Sequence, residues 1–183
     1  LMYVQWTGAA WRRESLTPGK SVMVYATSLA LDHAGRPHIL YHGDHDLGYA
    51  RWIGAAWTRQ ILDTSERVGG QTSLALDSQG RPHIAYRKEG NRDLWCADWT
   101  GDAWRTQAVD VDTWVGQHIA SAVDGRGRVH ISYHDDNHHQ IKHAVREGNA
   151  WKREIVAEDA GEMSSLAVGP SGEPHISYSD RTT

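Results

Sequence analysis

The chain has 183 residues, 39% apolar and 23% charged, which is typical of one globular domain with a hydrophobic core rather than of a disordered protein. Its formal net charge of −4 gives no electrostatic reason to expect nucleic acid or an anionic membrane as partner, and no apolar run reaches membrane-spanning length. The single Cys96 excludes an internal disulfide and an all-cysteine zinc site.

Two sequence blocks alternate along the chain, and each occurs four times. The first block starts at Leu1, Leu47, Leu94 and Ile141 and reads LMYVQWTGAAW, LGYARWIGAAW, LWCADWTGDAW and IKHAVREGNAW. The second block starts at Ser28, Ser73, Ser121 and Ser165 and reads SLALDHAGRPHILY, SLALDSQGRPHIAY, SAVDGRGRVHISY and SLAVGPSGEPHISY. We expect a single domain of four repeat units, approximately 1–46, 47–93, 94–140 and 141–183.

Each repeat predicts four short strands. Strand a (SLALD) leads through a tight turn (SQGR) to strand b (PHIAY), and a polar loop leads to strand c (LWCADW), followed by a turn (TGDA) and strand d (AWRTQAV). Gly and Pro fall in the turns, apolar residues alternate between them, and no segment has a helical period. The pattern predicts an all-β fold, a β-propeller of four four-stranded blades.

The two ends of the sequence carry complementary strands. The chain starts with strands c and d and finishes with strands a and b. We expect both ends to complete one blade, a velcro closure that removes the open sheet edge. Two alternatives remain open: two chains pair into an eight-bladed ring, or the chain is a fragment of a larger propeller.

The repeated motif SLALD-x-x-G-x-P-H-I-x-Y resembles the bacterial β-propeller repeats of the BNR (sialidase-like) and NHL-like families, over essentially the whole chain. The resemblance implies the propeller fold, which hosts many activities. The sialidase Asp-box spacing Ser-x-Asp-x-Gly-x-x-Trp is missing, so a sialidase mechanism is not implied. Residues 117–146 also resemble a blade of the ulvan-lyase type of polysaccharide lyase. That resemblance implies His/Tyr acid–base chemistry, with His134 and His118 as candidate catalytic residues and Lys142 or Arg87 neutralising a uronate.

Residues that build a blade should occur in every unit, whereas residues that serve a ligand need occur only once. The strand-b histidine occurs in all four units, as His38, His83, His130 and His175. We expect these histidines to be structural, with hydrogen bonds to adjacent turns; a ring of metal ligands is disfavoured because strand b is not the innermost strand. The repeated tryptophans, among them Trp57 and Trp104, are expected to pack between blades.

The b–c and d–a loops differ between units, while the a–b and c–d turns are short and alike. Variable loops on a rigid scaffold are where binding usually resides, so we expect the ligand at the b–c/d–a face. The candidate ligand-binding residues there are Trp114, Arg87, His42, His45, His134, His138 and His139. These features favour a binding module for a carbohydrate or a protein partner. A polysaccharide-degrading enzyme is the second interpretation and a metal-binding propeller the third.

The histidine-rich stretch YHDDNHHQIKHA from Tyr133 offers imidazole and carboxylate groups of the kind that bind zinc. Its spacing matches no established metal motif, so we expect no metal and no cofactor. The expected partner is a glycan or protein ligand, with no nucleic acid and no membrane insertion, and the chain is expected to be a monomer or homodimer. An extracellular or cell-surface location is suspected, and the sequence leaves the compartment open.

Overall fold

A computed structural model describes residues 1–17, 24–43, 46–64, 68–112 and 114–181. These ranges contain sixteen β-strands, and none of their residues forms a helix long and apolar enough to cross a membrane. In chain order the strands are β1 (Met2–Trp6), β2 (Trp11–Ser15), β3 (Val24–Leu31), β4 (Pro37–Gly43), β5 (Asp46–Trp52), β6 (Trp57–Asp63), β7 (Val68–Leu76), β8 (Pro82–Lys88), β9 (Asp93–Trp99), β10 (Trp104–Asp110), β11 (Val115–Val123), β12 (Val129–Asp135), β13 (Gln140–Glu147), β14 (Ala150–Ala157), β15 (Ala160–Val168) and β16 (Pro174–Asp180).

The strands form antiparallel sheets in the order that the repeat predicts. Three sheets have four strands each, blade 1 (β3–β6), blade 2 (β7–β10) and blade 3 (β11–β14). Two strands remain at each end, half-blade N (β1–β2) and half-blade C (β15–β16). The predicted all-β propeller of four-stranded blades is thereby confirmed. The strand count is consistent with velcro closure, although the two half-blades are separate two-stranded sheets in the structure.

The hydrophobic core lies between consecutive sheets. One cluster joins blades 1 and 2 through Leu40, Tyr49, Leu74 and Tyr86, among others. A second joins blades 2 and 3, and a smaller one joins half-blade N to blade 1. Strand a of each blade packs against strand a of the next, from β3 to β7, β11 and β15, so strand a is the inner strand. Both faces of blade 2, which lies between blades 1 and 3, are therefore covered, and strand b is buried along nearly its whole length in all three blades.

The a–b turns are held by one repeated arrangement. In blade 3, the Asp124 carboxylate accepts hydrogen bonds from the amides of Arg126 and Arg128, at 2.9 and 2.8 Å, and from Arg128 Nε at 2.7 Å. Gly127 takes a positive φ of 79°, which a residue with a side chain rarely adopts. Burial would raise the pKa of Asp124, but the hydrogen bonds to Arg128 and Arg126 lower it to about 2. The turn is thus a closed unit that needs no bound ion.

In the last a–b turn, the carboxylate comes from a different position of the turn. Gly169 stands where the other turns have Asp, and Glu173 stands where they have Arg. A Cβ at Gly169 would overlap the Glu173 carboxylate, so the glycine makes room for it. Glu173 Oε1 lies 3.9 Å from His175 Nε2, in the role that Asp124 has beside His130.

The strand-b histidines of the three blades are buried and lie between a turn carboxylate and strand c. His130 Nε2 lies 3.4 Å from Asp124 Oδ2, and its Nδ1 lies 3.1 Å from His143 Nε2. In blade 1, His38 Nδ1 lies 2.5 Å from the Tyr49 hydroxyl oxygen, and in blade 2, His83 Nδ1 lies 2.6 Å from Asp98 Oδ1. Burial lowers the pKa of His38 and His130 below the ordinary value of 6.5. These contacts fit the predicted structural role. Among the described residues, these histidines do not belong to any group of three or more His, Cys, Asp or Glu side chains that could hold a metal ion.

Trp57 and Trp104 lie between sheets. The Trp104 ring meets the Tyr49 ring of blade 1 edge-on, with centroids 5.2 Å apart, and its Nε1 donates a hydrogen bond to Gln60 Oε1 at 2.8 Å. Trp57 meets Tyr3 of half-blade N in the same way, also at 5.2 Å. Both positions fit interblade packing.

Candidate functional site

The two ends of the propeller are named by their connections. The a–b and c–d turns form the turn face, and the b–c and d–a loops form the loop face. On the loop face, the d–a loop between β10 and β11 is tied to two b–c loops. Val115 N donates to Arg92 O of blade 2 at 3.1 Å, and Asp136 N of blade 3 donates to Trp114 O at 3.0 Å. Three loops from two blades therefore form one connected surface.

Trp114 is the most distinctive side chain of this surface. Its φ of 70° lies in the left-handed region, which costs a tryptophan energy and persists only where surrounding contacts fix it. The Arg92 guanidinium carbon lies 3.3 Å from the ring centroid, and 46% of the residue remains exposed. Trp114 is therefore a preorganised aromatic platform with a cation on one side. The sequence predicted Trp114 as a binding residue but gave no signal for Arg92, which lies 22 positions earlier in another loop.

A charged network lies beside this platform. Lys142 Nζ contacts Asp135 Oδ2 at 2.6 Å and lies 3.7 Å from carboxylate oxygens of both Asp110 and Asp112. Burial would lower the pKa of Lys142, but the hydrogen bond to Asp135 raises it above its usual value. A depression of about 410 Å³ opens here, lined by Asp110, Asp112, Lys142, Arg153, Glu154 and Ile155. The lysine is thus held as a cation inside the protein rather than presented to solvent.

His134 and Asp136 are joined to each other instead of facing solvent. His134 is 1% exposed, and its Nδ1 lies 2.7 Å from Asp136 Oδ1. The other oxygen of Asp136 accepts a hydrogen bond from Gln117 Nε2. His134 Nε2 is buried, and no described atom hydrogen-bonds to it. The sequence predicted His134 as a ligand-binding or catalytic residue, and the structure places it beneath the surface.

The remaining predicted loop residues divide between surface and interior. His138 and His139 are exposed, and His138 Nδ1 lies 3.0 Å from Asp135 Oδ2. Arg87 is buried and pairs with Glu89 at 3.1 Å, so it does not lie open to a ligand. His42 is half-buried, with its ring 5.5 Å from that of Tyr25. His45 lies outside the described residues.

Of the two histidines that the lyase resemblance implies, His134 is buried, and so is the adjacent Tyr133. Tyr133 is fully buried and donates its hydroxyl hydrogen to Asp110 Oδ2 at 2.7 Å. Burial and the Asp110 carboxylate raise the pKa of Tyr133 far above its usual value, so its phenolate is disfavoured. His118 Nε2 lies 3.6 Å from Glu162, on the side of half-blade C. A substrate on the loop face meets neither the Tyr133 hydroxyl nor the buried ring of His134.

Within the described ranges, no group of three or more His, Cys, Asp or Glu side chains is arranged to hold a metal ion. The imidazoles of the histidine-rich stretch are turned to different carboxylates, His134 to Asp136 and His138 to Asp135.

Clefts between blades also open on the turn face, where the sequence predicted only repeated turns. A cleft of about 210 Å³ lies between half-blade N and blade 1, and its lining includes Tyr3, Arg12, Glu14, Trp52 and Trp57. A second, of about 220 Å³, lies between blades 1 and 2, and its lining includes Arg51, Trp52, Arg81 and Trp99. The concave surface of the protein is thus not confined to the variable loops.

Known proteins share this architecture. The chain is similar in structure to a variant of the Aleuria aurantia lectin in complex with Fucalpha1-6GlcNAc (TM-score 0.66, 12% identity, 98% of this chain and 63% of the lectin). It is also similar to a Hadza microbial sialidase (TM-score 0.59, 14% identity, 87% of this chain and 42% of the sialidase) and to an ulvan lyase (TM-score 0.57, 14% identity, 85% of this chain and 48% of the lyase). The chain therefore spans less than two thirds of the length of each. No protein-family model and no curated protein sequence matches it. At these identities the similarity establishes the propeller fold.

Proposed function

We propose that the protein is a carbohydrate-recognition module whose ligand stacks on Trp114 at the loop face. The observation that carries this proposal is the half-exposed indole held at a positive φ on the Arg92 guanidinium. An exposed aromatic ring fixed by its neighbours loses little conformational entropy when a ligand binds, and its flat apolar face suits the C–H face of a sugar ring.

Hydrogen-bonding groups flank the platform. The Asp112 carboxylate is mostly exposed and two residues away from Trp114, so it is available to accept hydrogen bonds from sugar hydroxyls. His138 and His139 on the neighbouring b–c loop offer further polar edges. A small number of polar groups around an apolar platform is the usual composition of a carbohydrate or small-molecule site.

The fold is compatible with this proposal but does not select it. The Aleuria aurantia lectin was solved with a fucose-containing disaccharide, while the sialidase and the ulvan lyase share the same architecture. Recognition is favoured over catalysis because the candidate His134 is buried and bound to Asp136, and the candidate His118 lies 3.6 Å from Glu162 on the side of half-blade C.

A glycan array followed by isothermal titration calorimetry tests the proposal. We expect Trp114→Ala to weaken binding of the recognised glycan by about tenfold or more, equivalent to roughly 1.4 kcal/mol. Trp11→Ala is the matched control, because Trp11 is also exposed but lies at the c–d turn of half-blade N. Unchanged affinity in Trp114→Ala would overturn the site. Absence of glycan binding, together with unsaturated products from an acidic polysaccharide, would overturn recognition in favour of a lyase.

A further inference from the structure

Corresponding clefts between blades differ in the charges that they contain. The cleft between blades 2 and 3 is lined by Asp98 of blade 2 and Arg146 of blade 3, whose side chains form an ion pair at 2.7 Å. Both side chains are mostly buried. Arg146 also lies 3.2 Å from the Cys96 sulfur, and its guanidinium carbon lies 4.7 Å from the centre of the Trp151 ring. The protein therefore supplies both the anion and the cation of this cleft.

The cleft between blades 1 and 2 has other residues at the same two repeat positions. Arg51 stands where blade 2 has Asp98, and Trp99 stands where blade 3 has Arg146. The strand pairing places Arg51 and Asp98 alike, because each is the strand-c partner of the strand-b histidine of its blade. Arg51 and Trp99 both line the cleft. A cation thus occupies the position that holds the anion in the neighbouring cleft.

The strand-b histidine does not require a carboxylate at this position in blade 1. In blade 2, His83 Nδ1 lies 2.6 Å from Asp98, so the aspartate is part of the blade. In blade 1, His38 Nδ1 instead contacts the Tyr49 hydroxyl at 2.5 Å. Arg51 is therefore not needed to hold the histidine.

Arg51 has an exposed side chain, and no Asp or Glu among the residues that the structure describes forms an ion pair with it. Asp32 lines the same cleft but is bound within its own turn. Its Oδ1 accepts hydrogen bonds from two turn amides at 2.9 Å, and its Oδ2 lies 2.7 Å from Arg36 Nε. Arg81, which also lines the cleft, is paired with Asp77 at 2.7 Å. Arg51 is thus the cation of the cleft whose charge the described protein does not balance.

Two indole rings lie beside this cation. Trp52 of blade 1 and Trp99 of blade 2 line the cleft, and both are half-buried. A second tryptophan on strand d holds each of them, Trp57 with ring centroids 5.7 Å apart and Trp104 at 5.4 Å. Fixed aromatic rings next to a cation suit a ligand that has both an apolar face and a negative charge.

We propose that this cleft binds a carboxylate-bearing sugar, at a site on the turn face that does not depend on Trp114. The carboxylate of the ligand accepts hydrogen bonds from the Arg51 guanidinium, and the sugar ring packs against the indoles of Trp52 and Trp99. Arginine and a carboxylate can form two parallel charge-assisted hydrogen bonds, which an uncharged sugar cannot reproduce. The cleft is lined by three arginines and one aspartate, so its net positive charge also attracts an anion from solution.

Sugars that differ only in the carboxylate test this chemistry. Methyl glucuronide and methyl galacturonide, each beside its neutral parent glycoside, are titrated into isotopically labelled protein and followed by nuclear magnetic resonance. We expect a uronide to bind about tenfold or more tightly than its parent and to shift the indole N–H signals of Trp52 and Trp99. Its affinity should fall as sodium chloride is added, because salt screens the attraction. No binding of either uronide, equal affinity for uronide and parent, or shifts centred on the Trp114 indole would overturn the inference.

Variants of the cleft test which residues hold the carboxylate. Arg51→Gln should weaken uronide binding by about tenfold or more. Arg126→Gln is the matched control, because Arg126 is an exposed arginine of the a–b turn of blade 3 and does not line this cleft. Its affinity should equal that of the wild type. Full affinity in Arg51→Gln, or an equal loss in Arg126→Gln, would overturn the inference.

A double variant recreates the ion pair of the neighbouring cleft. Arg51→Asp with Trp99→Arg supplies an anion and a cation at the positions that hold them between blades 2 and 3, and it should abolish uronide binding. The fold should tolerate the exchange, because the arginine at this position of blade 3 already lies over its strand-d tryptophan. Circular dichroism checks that the variant is folded. A folded double variant that still binds the uronide with full affinity would contradict the proposed site.

Discussion

The turn face and the loop face are the two ends of the same strands, but their contacts differ in how often they occur. On the turn face, the Asp–Arg–His arrangement around Asp124, Arg128 and His130 is repeated around Asp32 and around Asp77. On the loop face, the stack of Arg92 on Trp114 occurs once in the described chain, as does the group of carboxylates around Lys142. Repetition follows from what every blade needs, so contacts without repetition are the candidates for function.

A residue that differs between the blades is not necessarily a ligand-binding residue. Arg87 and His134 stand at the same position of strand b, differ between blades, and are both buried. Each is bound by a carboxylate of its own b–c loop, Glu89 and Asp136 respectively. Part of the sequence variation on the loop face therefore serves to hold each loop in place. The exposed side chains of this face, centred on Trp114, are the ones that can contact a ligand.

The largest effect on stability is expected from removing a repeated turn carboxylate. Asp124→Ala leaves the donors of Arg126 and Arg128 without their acceptor, in a turn whose carboxylate is fully buried. We expect the free energy of unfolding, measured by urea denaturation, to fall by about 3–5 kcal/mol. Asp102→Ala, in an exposed c–d turn, should leave it nearly unchanged. Equal effects would mean that the turn network does not hold the blade.

The next largest effect concerns the strand-b histidine. His130→Ala removes a buried ring that contacts both Asp124 and His143 and leaves His143 Nε2 without a protein partner. We expect a loss of about 1–3 kcal/mol in the same unfolding measurement. The control is His138→Ala on the loop face, where the ring is exposed and the loss should stay below about 0.5 kcal/mol. A His138 effect as large as that of His130 would contradict the division into structural and ligand-facing histidines.

Acidification should lower the free energy of unfolding through the buried histidines of the turn face. Burial lowers the pKa of His38 and His130 in the folded protein, so the unfolded chain binds more protons as the pH falls through their ordinary value of 6.5. The free energy of unfolding should therefore decrease between about pH 7.5 and pH 5.5. His130→Gln, which cannot titrate, should show a shallower decrease in the same series of denaturation curves. A stability that rises on acidification would contradict burial of these rings in the neutral form.

The smallest expected effect on stability concerns the left-handed backbone conformation of Trp114. Gly adopts a φ of 70° without the cost that a Cβ brings, whereas Ala does not. Trp114→Gly should therefore be more stable than Trp114→Ala by about 1 kcal/mol, while both lose glycan binding. The difference in thermal midpoint between the two variants measures it. If Trp114→Ala is the more stable of the two, the backbone at this position is not held in the left-handed region.

The repeat made most of the fold predictable from the sequence. Strand identity, the direction of each hairpin and the role of the turn aspartates all follow from patterns that recur at a spacing of 45–47 residues. The substitution of Gly169 and Glu173 for Asp and Arg is also visible in the sequence, but the movement of the carboxylate that explains it depends on coordinates.

The candidate site was less predictable, because it depends on contacts between loops of different repeats. Arg92 stacks on Trp114 across 22 positions, and no periodicity links the two residues. His134 is buried because Asp136 and Gln117 come together around it, which a polar stretch of sequence does not reveal.

The division between repeated and unrepeated contacts is tested most directly by titrating the recognised glycan into Trp114→Ala and His130→Ala by calorimetry, at a temperature at which both are folded. We predict that Trp114→Ala loses about tenfold or more in affinity while His130→Ala stays within about twofold of the wild type. Equal affinities for the wild type and Trp114→Ala, or a larger loss in His130→Ala, would contradict the assignment of binding to the loop face.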